Sequence, residues 1–192
     1  MKGRQVTKIA VILGSTRPGR LGEGVAAWVY EQAQQHGGAE FELVDLKAVE
    51  LPLLDEPGVP MMGRGRQPHT VRWAEIVERF DGFVFVTAEY NHGIPAALKN
   101  ALDFLYAEWN HKAAGFVSYG SDGGARAVEQ LRQVMAQLRI ADVGPQVTLS
   151  LATDFVAYSK FQPQAHQEAN LKAVLDEVVT WADALRGVRT AA

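Results

Sequence analysis

The sequence predicts an α/β domain built on an open parallel sheet with helices on both faces. Two observations carry this. Short apolar runs rich in β-branched and aromatic residues alternate five times with segments of helical spacing. Each parallel step of a sheet needs a right-handed crossover of that kind. The second observation is size: 192 residues suit one hydrophobic core. With no repeat, low-complexity tract or linker in view, residues 1–192 are assigned to a single domain.

Lys8 to Leu13 reads as the first strand, because Ile9, Val11 and Ile12 are β-branched. Val25, Ala26, Trp28, Val29 and Ala33 follow at helical spacing, and His36-Gly37-Gly38 supplies a glycine stop. Phe41 to Leu46 is the second strand. Lys47 to Thr70 is irregular, broken by Pro52, Pro57, Pro60 and Pro68, and a loop this long is usually functional or mobile. Val71, Trp73, Ile76, Val77 and Phe80 restore the helical period. Phe83 to Thr87 is the third strand, followed by a helix from Pro95 to Tyr106, since proline suits a first turn. Ala113 to Tyr119 is the fourth strand, and Ala125 to Leu138 the helix behind it. Gln146 to Leu151 and Ala165 to Leu185 complete the fifth unit. Five such units fit the order 2-1-3-4-5, a flavodoxin-like three-layer sandwich whose switch point lies between the first and third strands.

Composition removes several classes of function. The hydrophobic share of 47% and charged share of 21% place the chain among water-soluble globular proteins. A net charge of −3 argues against nucleic acid as a partner, because no broad basic field is present to hold a phosphate backbone. There is no cysteine, which excludes disulfides, thiolate metal sites and cysteine nucleophiles. Redox work would then fall to a bound cofactor. No run approaches the ~18 apolar residues of a membrane span. Met1 to Lys8 shows no signal-peptide pattern, so a cytoplasmic protein without a membrane partner is expected.

Under that topology three loops converge at one sheet edge. In Gly14-Ser15-Thr16-Arg17-Pro18-Gly19-Arg20, glycines free backbone N–H groups for an anion, Ser15 and Thr16 add hydroxyls, and Arg17 and Arg20 add charge. Neither GxxxxGK[ST] nor GxGxxG is present. The plainer reading is a tight connector with two solvated arginines. In the second loop, Glu89-Tyr90-Asn91-His92, an amide could bond the edge of a flat heterocycle and Tyr90 could pack on its face. Alternatively Tyr90 packs locally and Glu89 caps the next helix. His92 has no carboxylate partner in view and reads as inert. The third loop, Ser118 to Gly124, lets a ring approach the backbone closely, or is only a flexible connection. Three ligand-competent loops at one edge are harder to explain as connectors than any one alone.

These loops carry a resemblance covering about Lys8 to Leu151. GSTRPGR resembles the GSxRxxS phosphate loop of the NADPH-dependent FMN reductase family, which includes quinone, azo-dye and chromate reductases. Glu89-Tyr90-Asn91, Ile94-Pro95 and Leu98 to Asp103 resemble its PEYNxxIPxxLKNAxD signature, and Gly123-Gly124-Ala125-Arg126 with Leu131-Arg132 its GGxR…LRQ segment. Ala88 stands where the family usually has proline, and Arg20 where it usually has a small polar residue.

The resemblance implies noncovalent FMN, with NADPH or NADH as hydride donor at the flavin N5. A quinone, azo compound, metal oxyanion or free flavin would be the small-molecule electron acceptor. Ser15, Thr16, Arg17, Gly19, Arg20 and Leu21 would hold the phosphate. Glu89, Tyr90 and Asn91 would line the ring, and Ser118, Gly120, Gly123 and Gly124 would close the pocket. No side chain is assigned as catalytic, because the flavin carries the chemistry. The rival readings are a flavodoxin-type electron carrier, typically more acidic, and a flavin-binding module without activity. Arg64 and Arg66 could meet the 2′-phosphate of NADPH or lie solvated in their loop. The resemblance points to a homodimer or homotetramer. The helix Ala96 to Tyr106, followed by Trp109 and His111, would serve as its surface, unless Phe104, Leu105 and Trp109 pack into the monomer's own core.

Overall fold

Strands buried on both faces of a parallel sheet are apolar at nearly every position, and three strands here have that character. The structure, a computed structural model, describes residues 6–191. Met1 to Gln5, the start of the segment read for a signal peptide, lie outside them. Strands β1 (Lys8–Leu13), β3 (Gly82–Ala88) and β4 (Ala113–Gly120) are buried almost throughout. The edges are β2 (Glu40–Asp45) and β5 (Ala141–Ser150), which are only partly buried. All pair in parallel in the order β2-β1-β3-β4-β5, the predicted flavodoxin-like arrangement.

Two apolar layers flank this sheet. Helix α1 (Gly22–His36) and the long helix α6 (His166–Ala191) close over Val11, Val84, Val117 and Val147. On the other face α3 (Pro68–Glu78), α4 (Ala96–Asp103) and α5 (Ala125–Gln137) bury Phe83, Phe85, Phe116 and Leu131; a one-turn α2 (Leu46–Val49) lies at the rim. No helix among the described residues is long and apolar enough to cross a membrane.

The structure departs from the sequence reading in several places, among them α4, which ends at Asp103 instead of Tyr106, and α6, which runs on to Ala191. β5 begins at Ala141, because an edge strand tolerates the Gly144-Pro145 pair that reads as a break. α3 begins at Pro68, where the ring occupies a first-turn position. A two-stranded antiparallel hairpin, β6 (Phe155–Val156) and β7 (Lys160–Phe161), occupies a stretch with no predicted element. Finally, Phe104, Leu105 and Trp109 are buried in the monomer. The Trp109 ring sits 4.9 Å from Phe83 and its indole donates to the Leu102 carbonyl at 3.2 Å. They are core residues and offer no surface for self-association.

Candidate functional site

The register aligns the carboxyl ends of β1, β3 and β4, with Leu13 beside Val86 and Ala88 beside Tyr119. The first loop is fastened across the end of β3, where the Gly14 amide donates to the Val86 carbonyl at 2.9 Å. Between the three loops lies a cavity of about 390 Å³, within the ~300–1,000 Å³ usual for small-molecule sites. A larger groove of about 580 Å³ between α1 and α6 is lined by helix side chains such as Gln32, His36 and Asp176, and by no strand-end loop.

In the first loop Ser15 is fully buried, its hydroxyl 2.7 Å from that of Tyr90. This contact ties the first loop to the second. Arg17 is exposed at the cavity mouth. Arg20 behaves differently. Its guanidinium forks onto Asp45 at 2.8 and 2.6 Å, reaches Glu23 at 3.0 Å and donates to the Ser15 carbonyl. The Asp45 hydrogen bonds raise the Arg20 pKa further. Burial pushes the Asp45 carboxyl up, yet the Arg20 bonds and the Lys47 amide outweigh it and hold that group below its ordinary value. Arg20 therefore braces the loop from behind. No side chain caps α1, so its first N–H groups remain available to an anion.

The second loop is a two-residue hairpin turn. Tyr90 and Gly93 exchange backbone hydrogen bonds of 2.9 and 3.1 Å, and Asn91 and His92 hold φ of 49° and 74°. Left-handed values at both central residues define a type I′ turn, a strained choice for histidine. Glu89 is largely buried. One carboxylate oxygen meets Arg126 Nε at 2.6 Å, while the other is buried without a partner.

In the third loop the Ser118 hydroxyl donates to the Gly123 carbonyl at 2.8 Å and shapes the turn. At Gly124, φ is 78° and a Cβ would approach Ser118 Cβ to 2.8 Å, so only glycine fits.

Of the residues expected from sequence, Arg17, Gly19, Arg20, Leu21, Glu89, Tyr90 and Gly120 line the cavity. Ser15 stands behind its wall, and Ser118, Gly123 and Gly124 build the buried turn beneath. Thr16 faces a separate depression of about 200 Å³ beside Leu46 and Asn100. Asn91 is exposed at the turn tip, outside the lining. Arg64 lies at the opposite sheet edge near Asp81 and Lys112, where it pairs with Glu78 and Glu108; Arg66 is exposed.

Sequence reasoning missed Ala88, Tyr119, Ser121, Leu151 and Tyr158 in the lining. Strand alternation offered a signal for Tyr119, since it must face away from Ser118. Tyr158, exposed at the tip of the β6–β7 hairpin, carried none. Among the described residues no cluster of acidic or histidine side chains could hold a metal.

The cavity thus offers an uncapped helix start, an exposed arginine, tyrosine faces and two buried polar atoms without partners, Glu89 Oε2 and the Tyr119 hydroxyl. Buried polar atoms are rarely left unpaired in a finished interior. A flat ring bearing a phosphate fits this donor set.

Comparison with known proteins agrees. A family model described as NADPH-dependent FMN reductase matches residues 7–154. An NAD(P)H-dependent FMN reductase of Schizosaccharomyces pombe is 46% identical over 146 residues, covering 74% of this chain and 73% of that one. A quinone reductase of Escherichia coli is 34% identical over 139 residues, 68% and 70% of the two chains. The structure of the NAD(P)H:(acceptor) oxidoreductase FerB from Paracoccus denitrificans superposes with a TM-score of 0.72 at 22% identity, covering 93% of this chain and 98% of that one, and so shares the fold. The chain belongs to the NADPH-dependent FMN reductase family.

Proposed function

We propose that the protein holds FMN between its three strand-end loops and moves electrons from NAD(P)H to a quinone, azo compound, metal oxyanion or free flavin. The observation that carries this is the convergence of the three loops on one cavity with an uncapped helix start and unpartnered polar atoms in its wall. Its support beyond geometry is family membership, which makes the chain an oxidoreductase that uses FMN and a nicotinamide nucleotide.

The chemistry supplied by bound FMN is hydride acceptance from the nicotinamide and delivery of two electrons to the acceptor. The protein's own work is binding and orientation. Arg17 and the first amides of α1 would neutralise the phosphate. Tyr90, fixed by Ser15, and the glycine turn at 123–124 would set the position of the ring. The Arg126–Glu89 pair would keep a carboxylate charge beside the ring from being wholly unbalanced. Both the nucleotide and the acceptor would use the solvent side of the cavity in turn.

The same proposal places the protein in the cytoplasm as a homodimer or homotetramer. Support for assembly comes from Leu53, Val59, Met61 and Met62, which expose apolar surface along one segment. Light scattering on the purified protein tests it, and a monomer at micromolar concentration overturns it.

The functional test is bound FMN in the purified protein together with NADPH oxidation driven by a quinone. A colourless protein that cannot be reconstituted with FMN overturns the reading. FMN binding without NAD(P)H oxidation would make the chain a carrier.

A further inference from the structure

We propose that Tyr119 is a binding residue, its hydroxyl donating a hydrogen bond to the phosphate monoester end of the flavin nucleotide. This rests on the flavin reading above and adds a residue to it.

Tyr119 sits next to last in β4 and is only 5% exposed. Its ring packs 6.3 Å from Phe155 in the core beneath α1 and α6. The hydroxyl reaches across to the start of α1. A Cβ built on Gly22 would stand 2.5 Å from the phenolic oxygen, so glycine at the first residue of α1 is what leaves the hydroxyl its place. There it has no hydrogen-bond partner. The Ser15 hydroxyl and the Gly22 amide lie near enough to bias its proton, but neither completes a bond, and Ser15 is already engaged with Tyr90.

A tyrosine kept only for packing would not need this arrangement. Phenylalanine would fill the same core without a buried hydroxyl left unpaired, a state that costs free energy. The hydroxyl and the glycine notch make sense together if a ligand atom completes the bond. The spot lies beside the uncapped amides of α1 and on the wall shared with Arg17. Those neighbours select an anion with several acceptor oxygens, which a phosphate monoester supplies. Burial drives the phenol pKa upward, so the group stays a neutral donor at physiological pH.

The test compares wild type with Tyr119→Phe for FMN and riboflavin binding, read by quenching of flavin fluorescence, and for melting of the apoprotein. Loss of a hydrogen bond to a charged group predicts FMN binding ~10-fold weaker, riboflavin binding unchanged, and apoprotein melting unchanged or higher. Gly22→Ala, whose Cβ would crowd the Tyr119 hydroxyl and Leu13, should reproduce the FMN-specific loss. FMN affinity within about 2-fold of wild type in both variants, or equal losses for FMN and riboflavin, overturns the inference alone. A wild type that binds neither flavin overturns the functional reading itself.

Discussion

The two ends of the sheet both carry buried polar groups and treat them in opposite ways. At the amino edge Asp81 accepts from Arg186 at 2.9 Å, from Arg189, and from the Lys8 amide at 3.0 Å. Beside it the buried Lys112 donates to the Val77 carbonyl at 2.7 Å and lies over the Phe83 ring. At the carboxyl edge Glu89 Oε2 and the Tyr119 hydroxyl have no partner and α1 begins uncapped; left-handed backbone occurs at both edges, at Asn91 and His92 here and at His111 and Arg139 there. One end is finished within the chain. The other is complementary to something else, as expected where stability has been traded for a site.

If that contrast is real, substitutions at the two edges should separate stability from flavin binding. The largest effect is expected at Asp81. Asp81→Ala removes the carboxylate shared by Arg186 and Arg189 and should cost about 2–3 kcal/mol in urea unfolding, with FMN affinity unchanged. A parallel loss of FMN affinity would break the contrast. The pH dependence has a definite sign. Burial pushes the Asp81 carboxyl up, but Arg186, the Lys8 amide and Arg189 more than offset it and depress the folded pKa below 3.8. The stabilisation is therefore present above that value and lost as pH falls through the folded pKa. Asp81→Asn should remove this acid limb.

Arg17→Ala should do the reverse. Its side chain is exposed, so unfolding should shift by under ~0.5 kcal/mol, while FMN binding weakens by about 1.5 kcal/mol for one charge-assisted phosphate contact. Equal FMN affinity in the variant would move the phosphate away from this loop.

Lys112 sharpens the comparison through its titration. Burial, aided by Arg189, lowers its pKa to about 7. Above that pH the folded lysine is neutral while the unfolded chain still holds the proton, up to 10.5. Stability should then rise with pH across this window by about 1.4 kcal/mol per unit. Lys112→Met should flatten the rise, and an unaltered slope would contradict the assignment.

The smallest effect is expected at the carboxyl-edge turn. His92→Gly gives the Asn-Gly pair that a type I′ turn favours and should stabilise by roughly 0.5 kcal/mol in thermal unfolding. Destabilisation would show that the turn is not strained.

Much of this was legible in the sequence, for identifiable reasons. Val84, Phe85 and Val117 lie in strands buried on both faces, so their runs are continuous and unmistakable. The strand-end loops announced themselves through glycine, serine and arginine at turn spacing. What stayed hidden depends on contacts distant in the chain. Arg20 is braced by Asp45 at the end of β2, 25 residues on, and no local spacing encodes that. Tyr119 reads as one more apolar strand residue until α1 is placed against it. Phe104, Leu105 and Trp109 looked like surplus aromatic surface because their partners come from other elements, Phe83 and Phe85 around Trp109 and His69 beside Phe104. The two-residue strands at 155–161 are too short to show a period at all.

The central claim is that the open polar edge is a flavin site. Titrating the apoprotein with FMN and following quenching of flavin fluorescence tests it most directly. The account predicts saturable, stoichiometric binding that Arg17→Ala weakens and Asp81→Ala does not. No saturable quenching in wild type, or equal weakening by both substitutions, would contradict it.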